Sequence, residues 1–431
     1  MKIGLNKTVI TPEPGVDLAG FGRPGRNAMG VHDDIYLSSM VMEDDTGRAI
    51  IICADLLGFG TELTVSLKRE IGDKFGFSEE QIMLSASHTH SAPQALDNML
   101  SVGEKDEKYI ESLKKKAVAS VENALEEMFE AEMYYGLAQC NLGINRRRPS
   151  GDGMIEFAPY EDGVTDNAVT ALKVIGNGRI KAVLYSYTCH PSIIDTDLVS
   201  ADYPGRARLA IEDAFGKDTV VFFIQGCCGD IRARTVEGRE FREGTWEDVD
   251  EYGLKLGNIV AGICKTAMQK IDILISSELL NILLPLKALP NREDMTSTLE
   301  NGTTPEKAWA GKMLSCYDSL KTELPFTIQR ISVGDTFHII ALSGEVCVEY
   351  SKYIKQKDEK KVFISAGYSN GVTGYIPTAL MLEQGGYEPD GSIIYYGMPS
   401  QFDGSVEKIV KKAIDRVGAM SCSAKEGGSS L

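Results

Sequence analysis

Six short apolar runs, each breaking off in a cluster of polar residues, constrain the fold more than any other feature of the chain. They are AIIICAD (49–55), QIMLSAS (81–87), KAVLYSYTCH (181–190), TVVFFIQG (219–226), FHIIALSG (337–344) and KVFISAG (361–367). Runs of this length, rich in Ile, Val and Phe, read as buried strands. Amphipathic stretches separate them. ELTVSLKREIGDKFG (62–76), DEKYIESLKKKAVASVENALEEMFE (106–130), PGRARLAIEDAFG (204–216), VDEYGLKLGNIVAGICKTAMQKI (249–271) and SVEKIVKKAIDRVGAM (405–420) read as helices. A further helix, MTSTLENGTTPEKAWAGKMLSCYDSL (295–320), falls between the strands LLNILLPLKALP (279–290) and FTIQRISVG (326–334), and Gly334 and Asp335 predict a hairpin turn. No repeat or linker breaks the pattern. The expectation is an α/β fold of mixed β-sheets flanked by helices, one domain over residues 1–420, with SCSAKEGGSSL (421–431) as a disordered tail.

Charge and cysteine usage narrow the partners. The formal net charge of −17 opposes binding to nucleic acid or to an anionic membrane, since both demand a basic surface. NRRRP (145–149) is the local exception, either a solvated loop or a basic pocket. Nine cysteines, several inside apolar runs and none in a CxxC pair, behave as small buried hydrophobes and point to a reducing compartment. The first residues hold no apolar signal core, and no window approaches the roughly 18 apolar residues of a membrane span. A cytoplasmic protein acting on a small molecule, without nucleic acid or membrane, is expected; a homo-oligomer is compatible with the sequence.

The polar clusters matter because α/β proteins build their sites at strand ends. LSASHTHSAP (84–93) spends two of the five histidines on one H-x-H. In extended chain both rings fall on one face, which suits a metal site and equally a packed turn. Other exits supply compatible groups: His190 in TCHPS, Glu345 in LSGEV and Asp55 in CADLL. Imidazole and carboxylate are the donors zinc takes, with a position left open in a catalytic site. Asp55 is the candidate for orienting a ligand histidine. His338, mid-strand, and His32, beside Asp33 and Asp34, read as structural. The adjacent cysteines of GCCGD (226–230) alternate across a strand and read as packing, with Asp230 as a loop carboxylate near the site.

Several of these blocks, in this order, resemble the catalytic domain of the neutral, non-lysosomal ceramidases. They are LAGFG, HTHSAP, INRRRP, CHPS…SADYPG, QGCCGD and GYSNGVTGYIPT…GGYE, and together they cover about residues 3 to 400. The resemblance implies a zinc-dependent amidase with one Zn2+ per chain. It places the zinc ligands on His88, His190, Glu345 and Tyr375. It puts an active-site histidine beside the metal at His90, a substrate-contacting arginine at Arg146 and an active-site tyrosine at Tyr387. It further implies that a zinc-bound hydroxide attacks the carbonyl, that His90 carries the proton to the leaving amine, and that Tyr387 stabilises the oxyanion.

Four departures qualify that reading. The family's G-D-V-S-P-N segment is GDIRAR (229–234) here, so Arg232 stands where the family has a serine. A serine-acyl route is excluded, and an arginine near the metal favours an anionic or highly polar substrate, with Asp230 and Arg232 as candidate substrate contacts. The family's C-terminal immunoglobulin-like domain and secretion signal have no counterpart in the sequence. GVHDDIY (30–36) carries two aspartates in a stretch that is neutral or more basic in the family. The expected function is hydrolysis of an N-acyl bond in a small soluble substrate. A metal-dependent hydrolase of an ester, lactone or phosphoester, or a relative that binds a metabolite without turnover, are the alternatives.

Overall fold

Strands that are parallel neighbours need a crossover to join them, and three such crossovers organise this protein. A computed structural model describes residues 1–22, 25–97, 99–151, 153–272 and 274–419; the expected tail at 421–431 lies outside the described residues. Arg48–Ala54 and Ile82–Ala86 run parallel, joined through the helix Thr61–Phe75. Arg179–Tyr187 and Val220–Gln225 run parallel around the helix Asp202–Phe215. Phe337–Leu342 and Val362–Ala366 do so around Val348–Lys355.

The first two crossovers lie at opposite edges of a mixed nine-stranded sheet. Its path is Val220–Gln225, Arg179–Tyr187, Ala168–Gly176, Phe129–Gln139, Lys2–Val9, Tyr36–Glu43, Arg48–Ala54 and Ile82–Ala86, with Gln269–Lys270 paired to Phe129–Gln139. The third crossover closes a four-stranded sheet with Ile275–Pro285 and Glu323–Val333. The two sheets share an apolar layer in which Met40, Ile51, Met83 and Phe222 meet Ile331, Phe337, Ile339 and Ile364. Bridges Ser85↔Ser369 and Gly226↔Ala366 tie the strand exits together. Ends that are far apart in sequence thereby converge: residue 88 follows one parallel strand, 190 another and 345 a third.

The mixed α/β expectation is met, and the six apolar runs are strands. Three local readings are corrected and one open alternative is decided. The long helix stops at Glu126, because Phe129 and Glu130 leave it to pair with Ile3 and Lys2. The helix read over 249–271 is Trp246–Lys265, and Gln269–Lys270 joins the sheet. The helix read over 295–320 is two, Arg292–Asn301 and Thr304–Ser315. Thr303 breaks it as the cap of the second, its backbone N–H and hydroxyl both donating to Glu306 at 2.7 Å, with a proline in the first turn. NRRRP is no solvated loop; it lies in the strand Gly143–Pro149, where Arg146 and Arg147 are buried. None of the described helices is long and apolar enough to cross a membrane.

Candidate metal centre

The geometry is set by backbone carbonyls. His190 stands where the chain leaves Arg179–Tyr187, and its Nδ1 lies 2.7 Å from the Cys228 carbonyl and 3.0 Å from that of Ile231. His88 follows Ile82–Ala86 with a left-handed backbone (φ 67°), and its Nδ1 lies 2.7 Å from the Leu57 carbonyl. A carbonyl accepts only, so each Nδ1 carries a proton, and a ring in its neutral form has its lone pair at Nε2. Both Nε2 atoms face the same oxygen: Glu345 Oε2 is 3.2 Å from His88 Nε2 and 3.1 Å from His190 Nε2. His90 Nε2 sits 3.3 Å from His88 Nε2, and the three imidazoles offer ligand atoms within 4.8 Å of one another.

Burial is the largest single influence on the titration of this cluster. Burial, reinforced by Arg146, pushes His190 down to about 4. Burial and the neighbouring His88 and His190 hold His90 well below its usual value. Burial works against the charge on Glu345, but the facing His88 and His190 hold its carboxyl well below the ordinary range. Three imidazole nitrogens and a carboxylate oxygen gathered this closely form a donor set that fits a divalent cation of zinc's type. Two phenols complete the cradle, Tyr368 donating to Glu345 Oε2 at 3.2 Å and Tyr396 to Oε1.

An open cleft of about 510 Å³ exposes this cluster, lined by His88, His90, Glu345, Tyr375, Tyr387 and Tyr396 among others. Tyr375 is brought beside Glu345 by the parallel pairing of Glu345–Val346 with Tyr375–Ile376. Its hydroxyl accepts from Arg146 Nη2 at 3.0 Å. Burial and the Glu345 charge raise its pKa well above the usual phenol value. Arg146 is aimed by Glu388, whose Oε1 accepts from Nε at 2.8 Å while Oε2 accepts from Arg147 Nη1 at 2.6 Å. The Tyr387 hydroxyl makes no hydrogen bond among the described residues and is kept protonated by burial, first, and by Glu345.

Of the residues singled out from sequence, His88, His90, His190, Glu345, Tyr375, Arg146 and Tyr387 come together. Three others are not among the groups gathered around Glu345. Asp55 does not orient a ligand: its Oδ2 takes the Tyr36 N–H at 2.9 Å and pairs with Arg208 at 2.7 Å, while the histidines are held by carbonyls. Asp230 is fully buried, its Oδ1 on the Val348 N–H and its Oδ2 on Asn145 Nδ2, so it fastens the Arg146 strand and makes no substrate contact. Arg232 lies on the short strand Ile231–Ala233, its guanidinium 4.7 Å over the Phe241 ring. Tyr368, Tyr396, Glu388 and Arg26 went unread in the sequence; Arg26 Nη1 donates to the His90 carbonyl at 2.8 Å.

Gly20 sets the position of His90. Its backbone is left-handed (φ 110°), and a Cβ there would lie 2.5 to 2.7 Å from His90 Cγ, Cβ and Cα, closer than atoms tolerate. Gly20→Ala is expected to displace His90 and lower kcat/KM on the order of 10²-fold. Zinc content read alongside separates the roles: unchanged metal marks His90 as a proton carrier, lost metal as a ligand.

A mixed α/β scaffold with a buried histidine–carboxylate cluster at the ends of its parallel strands defines the class of protein. The chain belongs to the neutral/alkaline non-lysosomal ceramidase family, whose N-terminal domain matches residues 1–265. The neutral ceramidase of Pseudomonas aeruginosa is 25% identical over 244 residues, 53% of this chain and 36% of that protein, so the alignment spans about a third of the relative's length. The crystal structure of neutral ceramidase from P. aeruginosa superposes with a TM-score of 0.75 at 20% identity, covering 100% of this chain and 76% of the other. A structure described as ceramidase complexed with C2 gives 0.76 at 17% identity, covering 100% and 77%. At these identities the superpositions establish the fold.

Proposed function

We propose that this chain is a zinc-dependent amidohydrolase that cleaves the N-acyl bond of a small polar or anionic substrate. One observation carries the reading: the ligand atoms of His88, His90 and His190 lie within 4.8 Å of one another, with Glu345 Oε2 3.2 Å from His88 Nε2 and 3.1 Å from His190 Nε2. His88, His190 and Glu345, with Tyr375 beside them, would hold the zinc. When bound, zinc polarises a carbonyl and lowers the pKa of water toward neutrality. His90, neutral at pH 7 because it is buried against two other imidazoles, accepts the proton of the attacking water at Nε2 and returns it to the leaving amine. The Tyr387 hydroxyl, uncommitted and protonated, donates to the oxyanion that develops on the acyl carbonyl. Arg146, fixed by Glu388, holds Tyr375 and faces the substrate from the same wall. The cytoplasm fits an enzyme with eight free cysteines among its described residues, seven of them buried.

The test pairs metal analysis with a substrate panel. The purified chain is expected to carry one zinc and to release amine from N-acyl amides. A chelator should stop turnover and added zinc restore it. Turnover confined to phosphoesters or esters of the same panel would reject the amidase reading. A folded chain that takes up no metal would reject the centre itself.

A further inference from the structure

Every arginine that is not exposed has a hydrogen-bond acceptor or an acid among the described residues, except Arg232. Arg232 lies on the short strand Ile231–Ala233, opposite Ile144 of Gly143–Pro149. The pairing sets Arg232 beside the strand that carries Arg146, whose register against the next strand shifts between Asn145 and Arg147. An aromatic row links Arg146 and Arg232: the Arg146 guanidinium lies 4.9 Å from the Phe157 ring, Phe157 is 6.0 Å from Phe241, and the Arg232 guanidinium sits 4.7 Å over Phe241. The same Phe157 abuts Tyr387 of the cleft at 5.7 Å. The neighbouring Ile231 carbonyl is one of the two that hold His190. Arg146 spends Nε and Nη2 on Glu388 and Tyr375, and its Nη1 has no partner among the described residues. Glu388 is ion-paired to both Arg146 and Arg147, and Arg232 adds a third guanidinium to the corner in a chain of net charge −17.

We propose that Arg232 and the free Nη1 edge of Arg146 form a subsite for an oxyanion of the substrate, a carboxylate or phosphate displaced from the scissile bond. A planar guanidinium shelved on an aromatic ring and left without an acceptor is preorganised for such a group. Burial and the nearby Arg146 also depress the Arg232 pKa, a repulsion that an intervening anion relieves. This deepens the amidase reading and rests on it for the reaction alone.

The test compares N-hexanoylglycine with N-hexanoylethanolamine, which differ in the carboxylate, on the zinc-loaded full chain. Wild type is expected to favour the glycine conjugate by about tenfold or more in kcat/KM, chiefly through KM. Arg232→Gln should abolish that preference, with Arg232→Lys restoring part of it. An unchanged ratio in Arg232→Gln overturns the proposal. Should wild type hydrolyse neither compound, the amidase reading fails, and equilibrium binding of N-hexanoylglycine decides the subsite alone. Binding about tenfold weaker in Arg232→Gln then upholds it; equal or undetectable binding in both overturns it.

Discussion

Zinc will be missing from purified Glu345→Gln, and turnover will fall to about a thousandth of wild type or less. Each decade of rate corresponds to about 1.4 kcal/mol of barrier, and a catalytic metal supplies several kcal/mol. Glu345 is the one anion in the cluster: His88 and His190 meet its Oε2, and Tyr368 and Tyr396 donate to it. An amide of the same shape keeps an oxygen for the two phenols but removes the charge that draws a cation in. The fold should survive. Glutamine fills the same space and keeps an oxygen for the phenols of Tyr368 and Tyr396, so metal-free Glu345→Gln should melt close to metal-free wild type. The two proteins diverge when zinc is added. Wild type gains about 4 kcal/mol at a thousandfold excess over Kd, whereas the variant gains none. Metal content, thermal melts with and without zinc, and amine release check the three parts. Full zinc occupancy in the variant would remove Glu345 from the centre.

What could be read from the sequence, and what could not, follows from the physics of this site. His88, His190 and Glu345 stood out because a polar side chain at the end of an apolar run has few other places to be. Crossover topology then forced those ends together. Asp55 misled because it has the same signature, yet Tyr36 and Arg208 claim it. The groups that do orient the rings are the carbonyls of Leu57, Cys228 and Ile231, and a backbone carbonyl carries no mark in a sequence. Tyr368 and Tyr396 were invisible for another reason. Buried tyrosines are common, and only the pairing of their hydroxyls with Glu345 separates these two from the rest. Among the strands, Phe129–Gln139 was missed because it alternates between buried and exposed residues, a pattern eclipsed by the amphipathic helix before it.

The second large effect is on stability, at Glu388. Its carboxylate is all but fully buried between two buried guanidiniums, with Oε1 on Arg146 and Oε2 on Arg147. A buried ion pair set against a hydrophobic equivalent can be worth nothing, because both partners are desolvated. Removing one partner is different, since the charges left behind keep the whole desolvation cost. Glu388→Gln strands two arginines at once and is expected to lose about 3–5 kcal/mol of unfolding free energy at pH 7. The pH dependence fixes the cause. Burial opposes ionisation of Glu388, but Arg146 and Arg147 outweigh it and hold the carboxyl below its ordinary 4.5. The unfolded chain therefore takes up the proton first. The contribution is complete above about pH 4.5 and drains away as pH falls through the lower folded value. Urea denaturation at pH 7 should separate wild type from Glu388→Gln by the full amount, and the gap should narrow steadily below pH 4.5. A gap that stays constant down to pH 3 would mean that shape, and not charge, makes Glu388 necessary. Because Arg146 holds Tyr375 at 3.0 Å, the same substitution should also raise KM in the fraction that remains folded, through loss of the wall that faces the substrate.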